Sequence, residues 1–142
     1  MKELSILLVE DNPDDEWLAL RTLRKMGAER ITVARDGFAA LSELGVTPGP
    51  EPHASLPDLV LLDLKLPKMD GIEVLWRLRS CPATAGLNVV VLSSSEDPQA
   101  HALCRGFGVL ACLSKPLLRE ELLPIIKKAR LIREPSGEAA AA

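Results

Sequence analysis

The sequence predicts an α/β fold, a five-stranded parallel sheet with helices on both faces, and three observations carry that prediction. Short apolar runs alternate with helix-like stretches five times along the chain. Four of those runs lack the alternation of a half-exposed strand and read as strands buried on both faces. The 142 residues are enough for one continuous core and too few for a second domain of ordinary size.

The first strand is Leu4 to Val9, followed by a helical stretch from Asp14 to Met26, with Pro13 suited to its first turn and Gly27 to its stop. Asp14, Asp15 and Glu16 place acid where the helix dipole favours it. Trp17, Leu20, Leu23 and Met26 recur at near-helical spacing and read as packing residues, Trp17 near the upper rim. Ile31 to Ala34 is a shorter edge or near-edge strand, and Asp36 caps a helix that reaches Leu44. Gly45 to Pro57, with four prolines and two glycines, reads as an extended surface loop.

Leu59 to Leu62 is the third strand, and Asp70-Gly71 is a turn into a helix ending near Arg79, in which Trp76 is again a packing residue. Val89 to Leu92 is the fourth strand, and Asp97 caps a helix from Pro98 to Arg105 with Gly106 as its stop. The fifth strand is Val109 to Leu113, and the final helix runs from Arg119 to Ile132. Pro124 falls within its apolar stripe of Leu122, Ile125, Ile126, Ala129 and Ile132, removes one helical hydrogen bond, and is expected to kink or restart it. The domain is expected to end at residue 133, with Glu134 to Ala142 as a flexible tail rich in Pro, Gly, Glu and Ala.

Composition narrows the function classes. Hydrophobic residues at 47% and charged residues at 26% describe a globular chain rather than a disordered one. A net charge of -3 gives no general field for a polyanion, and Lys127, Lys128, Arg130 and Arg133 read as the solvated side of the last helix, so no nucleic-acid partner is expected. Cys81, Cys104 and Cys112 show no C-x-x-C spacing and read as reduced, buried thiols. No segment reaches the ~20 apolar residues of a membrane helix, and the run before Glu10 is too short for a signal peptide. A cytoplasmic protein with no membrane partner is the expectation.

The chemistry lies in the polar residues at the strand ends: Glu10 and Asp11 after the first, Asp63 after the third, Ser93 after the fourth, and Ser114, Lys115 and Pro116 after the fifth. In an open parallel sheet all of these converge on one rim, where such folds bind ligands. Three carboxylates crowded together repel one another unless a hard cation sits between them, so the site asks for Mg²⁺ or Mn²⁺. Asp63 can then attack a phosphorus atom, with Lys115 as a point charge and Ser93 as a hydroxyl donor for the phosphoryl oxygens. Singly, Glu10 and Asp11 are possible helix caps, Asp63 a strand end, Ser93 a turn residue and Lys115 a surface charge. Their joint arrival at one rim favours a single site.

The stretches I-L-L-V-E-D-N-P-D-D, L-L-D-L-K-L-P-K-M-D-G and L-S-K-P resemble the receiver domain of two-component response regulators, over Ser5 to about Ile132. Through N-P-D-D and the long loop before Asp63, the chain is most similar to single-domain regulators that pair with phytochrome-type histidine kinases. The resemblance implies a flavodoxin-like, CheY-like (βα)5 receiver whose Asp63 accepts a phosphoryl group from a sensor histidine kinase. It makes Asp11 a direct metal ligand, Glu10 a ligand through water, and the Lys65 carbonyl the third protein ligand. It implies that Ser93 and Lys115 contact the phosphoryl group, that small Ser94 leaves the acceptor accessible, and that the bond before Pro116 is cis. Expected partners are the kinase, a downstream target or phosphotransfer protein, and a second copy of the chain.

Two departures from the family pattern stand out. Relatives usually carry Tyr or Phe three residues before the lysine, whereas this chain has Cys112 and no tyrosine at all. Output is therefore expected through the loops after Ser93 and a changed oligomer. Pro124 alters a helix that relatives use for dimerisation. Two rival functions are an aspartyl-nucleophile phosphohydrolase and a docking module that takes no phosphate. The hydrolase would place a second Asp two residues after Asp63, where this chain has Lys65, and neither nucleotide-loop motif is present. The expectation is a signalling phosphoacceptor rather than a turnover enzyme.

Overall fold

The computed structural model describes residues 1–46, 56–94, 97–129 and 131. Strand and helix alternate as β1 (Ser5–Val9), α1 (Pro13–Lys25), β2 (Arg30–Ala34), α2 (Gly37–Glu43), β3 (Leu59–Asp63), α3 (Gly71–Ser80), β4 (Val89–Ser93), α4 (Pro98–Gly106), β5 (Ala111–Ser114) and α5 (Arg119–Lys128). All pairings are parallel, in the order β2-β1-β3-β4-β5. The order reverses at β1, so the crevice between the carboxyl ends of β1 and β3 is the switch point.

Alternate residues of the three inner strands feed two cores. On one face Ile6, Leu8, Leu59, Leu61, Val90 and Leu92 pack with Ala19 and Leu23 of α1 and Leu122 and Ile126 of α5. On the other, Leu7, Val9, Val60, Leu62, Val89 and Val91 pack with residues of α2, α3 and α4, among them Leu41, Leu75 and Cys104. Each buried Leu contributes about 2–5 kcal/mol against truncation to Ala. This double burial explains why the inner strands are apolar throughout, and it leaves polar residues only at the strand ends.

Local chemistry sets the helix limits. Asn12 caps α1, its Oδ1 accepting from the Asp14 and Asp15 amides at 2.9 and 3.1 Å, with Pro13 in the first turn. Gly27, at φ 95°, ends it: its amide donates to Arg24 O and that of Ala28 to Leu23 O, the paired bonds of a Schellman stop. Asp36, Asp70 and Asp97 cap α2, α3 and α4.

Several expectations are corrected. The fifth strand is not buried on both faces: β5 starts at Ala111, has a neighbour on one side only, and its residues are half-buried or exposed. Trp17 and Trp76 are not packing residues but lie on the outer faces of α1 and α3, 59% and 55% exposed. The Arg21 guanidinium covers the Trp17 ring at 5.4 Å, whereas Leu20, Leu23 and Met26 of the same apolar spacing do pack in the core. Gly106 is the last residue of α4, and the left-handed stop is Gly108, at φ 72°. Of the three free thiols only Cys104 is buried, Cys81 and Cys112 being half-buried. The last helix does not restart at Pro124; α5 runs through it. The proline-rich loop over 47–55, residues 95–96 of the loop after Ser93, Arg130, Arg133 and the tail from Glu134 lie outside the described residues.

Candidate functional site

The rim of the switch point is built by register. Val9 pairs with Leu62, so the next residues, Glu10 and Asp63, emerge side by side. Asp63 pairs with Leu92, and Ser93 with Ser114, which brings Ser93 and Lys115 to the same end of the sheet. The Lys115 amide donates to Ser93 O at 2.9 Å, and the Lys115–Pro116 peptide bond is cis. Glu10, Asp63 and Ser93 are among the few polar residues that are buried.

Three carboxylates meet there. Glu10, Asp11 and Asp63 each offer an oxygen within 4.8 Å of the others, Glu10 and Asp63 buried and Asp11 exposed. An all-oxygen set of this kind, open to water on one side, suits a hard divalent cation that keeps part of its hydration. Among the described residues it is the one such group. Asp63 Oδ1 accepts from the Lys65 amide at 3.1 Å, and Glu10 Oε2 from the Asn12 amide at 3.2 Å. The remaining charge is met by Lys115, whose Nζ lies 2.7 Å from Glu10 Oε1, 3.0 Å from Asp63 Oδ2 and 2.9 Å from Asp15 Oδ2.

Burial sets the electrostatics. It pushes the Glu10 carboxyl up to about 7; the Lys115 ammonium opposes this, and the neighbouring Asp63 adds to it. For Lys115, burial alone would lower the pKa, but its bonds to Glu10, Asp15 and Asp63 outweigh it and the net shift is upward. Near neutrality the lysine is therefore fully charged while Glu10 titrates. The Asp63 carboxylate, oriented by the Lys65 amide and beside the Lys115 ammonium, can act as a nucleophile toward an electrophile that brings its own negative charge.

Glu10, Asp11, Asp63, Ser93 and Lys115 thus come to one rim. Ser94 follows β4 and is exposed, as is Lys65, whose amide bonds Asp63. Two residues at the site were not singled out by sequence reasoning. Asp15 reads there as a first-turn acid, yet it holds Lys115. Asn12 caps α1 and bonds Glu10 as well. The signal available was N-P-D-D itself, three polar residues and a proline directly after the acidic pair.

A parallel five-stranded sheet with an aspartate at the end of its central strand, two acids after the first strand and a lysine after the last defines a phosphoacceptor receiver. The chain belongs to the response regulator receiver domain family, whose model matches residues 6–127. It is similar to the bacteriophytochrome response regulator AtBRR, at 38% identity with 92% of this chain and 95% of that one covered and a TM-score of 0.78. It is similar also to the Mn²⁺-bound form of response regulator Rcp1, at 30% identity, 93% and 99% coverage and a TM-score of 0.73. Rcp1 from Synechocystis sp. matches it in sequence at 39% identity over 65% of this chain and 63% of its own length. The phosphorylated cyanobacterial phytochrome response regulator RcpA is 33% identical, with 93% and 98% covered and a TM-score of 0.74. Among the described residues, no helix is long and apolar enough to cross a membrane.

Proposed function

We propose that Asp63 is the residue phosphorylated in this response regulator, with a phosphohistidine of a sensor kinase as donor. The observation that carries the reading is the position of its carboxylate, at the end of β3 within the Glu10–Asp11–Asp63 group and 3.0 Å from Lys115 Nζ. An Asp63 oxygen attacks the phosphorus, the bond from phosphorus to the kinase imidazole breaks, and the imidazole leaves as the acyl phosphate forms. Glu10, Asp11 and Asp63, with the Lys65 carbonyl, would hold Mg²⁺ or Mn²⁺, which neutralises charge on the phosphoryl oxygens. Lys115 keeps its proton and orients a phosphoryl oxygen, and the Ser93 hydroxyl donates to another. Exposed Ser94 leaves the approach to the acceptor open. Attack of water on the phosphorus releases phosphate and resets the protein.

The donor kinase is read as phytochrome-type, on the similarity to AtBRR and RcpA. Output is read as protein contact, with a downstream target or phosphotransfer protein and with a second copy of the chain. Exposed Leu103, Leu110 and Leu118, flanking β5, support that reading. We read the protein as cytoplasmic.

Intact-mass spectrometry after incubation with acetyl phosphate and Mg²⁺, and then with the cognate kinase, tests the assignment. One added phosphoryl group that requires the metal and is absent in Asp63→Asn is the expected result. No addition from either donor would reduce the chain to a docking module of receiver fold.

A further inference from the structure

The Lys115 ammonium has three protons to donate, and each meets a different carboxylate: Glu10 at 2.7 Å, Asp15 at 2.9 Å and Asp63 at 3.0 Å. Two of these partners belong to the three-carboxylate group, and Asp15 does not. The oxygens of Glu10 and Asp63 cannot serve the lysine and a divalent cation equally well, since a cation that draws on them weakens their hold on the ammonium. Asp15 offers the lysine a place outside that competition. It stands in the first turn of α1, where Asn12 Oδ1 accepts its amide proton at 3.1 Å. The Asn12 amide in turn bonds Glu10 Oε2 at 3.2 Å, so one capping residue sets the spacing between Asp15 and the acidic group. The Asp15 side chain is 35% exposed and that of Lys115 13%, which leaves the pair wet enough to exchange partners and dry enough to be directional.

We propose that Asp15 is a positioning residue for the phosphoryl chemistry: it retains the Lys115 ammonium at the rim and so frees Glu10 and Asp63 to take a divalent cation. This rests on the reading of Glu10, Asp11 and Asp63 as the metal group. It does not depend on which donor phosphorylates Asp63, or on whether one does. Without the Asp15 carboxylate, Lys115 is left with Glu10 and Asp63 alone and competes harder for their oxygens. A lost negative charge would also weaken cation binding by simple Coulomb attraction, so the variant alone does not discriminate. Removal of the lysine does. If Asp15 acts through Lys115, its effect disappears when Lys115 is absent.

The experiment is a double-mutant cycle on the full chain, with Mg²⁺ alone as the probe, followed by calorimetry and by tryptophan fluorescence. Asp15→Asn is expected to weaken Mg²⁺ binding about threefold or more in the otherwise native chain and by less than about 1.5-fold in a Lys115→Met background. Asp15→Glu, which keeps the carboxylate, is expected to stay within about twofold of the native affinity. Circular dichroism and urea unfolding check that each variant is folded. An equal loss in both backgrounds would overturn the proposal in favour of plain electrostatics, and no loss in either would overturn it outright. Absence of Mg²⁺ binding by the native chain would remove the metal group itself, and absence of phosphorylation would leave the cycle readable.

Discussion

Gly71 shows how one residue holds the site in place. Its amide donates to Leu64 O at 2.9 Å, and a Cβ built on it would press into the Asp63 carbonyl oxygen and lie 2.7 Å from Leu64 Cα. Those are backbone atoms and cannot rotate away, so a side chain here must displace the segment that carries Asp63 and Lys65. Gly71→Ala is therefore expected to cost about 1–3 kcal/mol in urea unfolding and to slow acetyl-phosphate labelling of Asp63. Gly86→Ala is the control. No atom lies within 4 Å of the Cβ built there, and the change should be neutral or stabilising by up to about 1 kcal/mol. Equal unfolding free energies for the two variants would show that the segment after β3 yields freely. Gly71 was legible as a turn residue and Glu10, Asp11, Asp63, Ser93 and Lys115 as strand-end polar groups, because each answers to a local rule. The close approach of Gly71 to Asp63 and the bond from Asp15 to Lys115 were not, since both depend on segments meeting in space.

Among elements, α3 and α4 are tied together by a residue that pattern alone treats as a helix end. The Arg79 guanidinium donates to Leu87 O at 2.7 Å and Ala85 O at 2.9 Å, and to Phe107 O at 2.6 Å and Gly108 O at 3.4 Å. It satisfies carbonyls of the segment before β4 and of the stop after α4, and burial lowers its pKa. Arg79→Met keeps the aliphatic stem and abandons those acceptors, so urea unfolding is expected to show a loss of about 2–4 kcal/mol. A loss under about 0.5 kcal/mol would mean that water replaces the guanidinium without cost. Arg79 was invisible as a tie because its partners lie up to 29 residues along the chain. The elements themselves were legible: strands from runs without alternation, helix starts from Asp36, Asp70 and Asp97, and the end of α1 from Gly27. What escaped were features set by neighbours: the edge position of β5 and the outward Trp17 and Trp76.

For the whole molecule, the two apolar layers support a repulsive cluster at the switch point, and that makes stability depend on pH and on metal together. Burial, with Asp63 adding, raises the Glu10 pKa from 4.5 to about 7, so between those values the folded protein keeps a proton that the unfolded chain has released. The stabilisation is complete below about pH 4.5 and is lost as pH rises through about 7, on the order of 3 kcal/mol in all. Lys115, shifted upward, contributes stability lost only at pH well above neutrality and adds no slope in this window. In a chelating buffer the unfolding temperature should therefore fall between pH 5 and pH 8 relative to Glu10→Gln, which has no proton to lose at this position. Ionised Glu10 is the form that can take part in holding a cation, so the effect of Mg²⁺ runs the other way. At about 100 times its Kd, Mg²⁺ should restore roughly 2.7 kcal/mol at pH 8, or about 8 °C for a chain of this size, and little at pH 5. Thermal unfolding of both proteins at the two pH values, with chelator and with Mg²⁺, measures every term. If Glu10→Gln shows the same decline with pH as the native chain, the titrating group is another residue, and the strain at the switch point does not reside in Glu10.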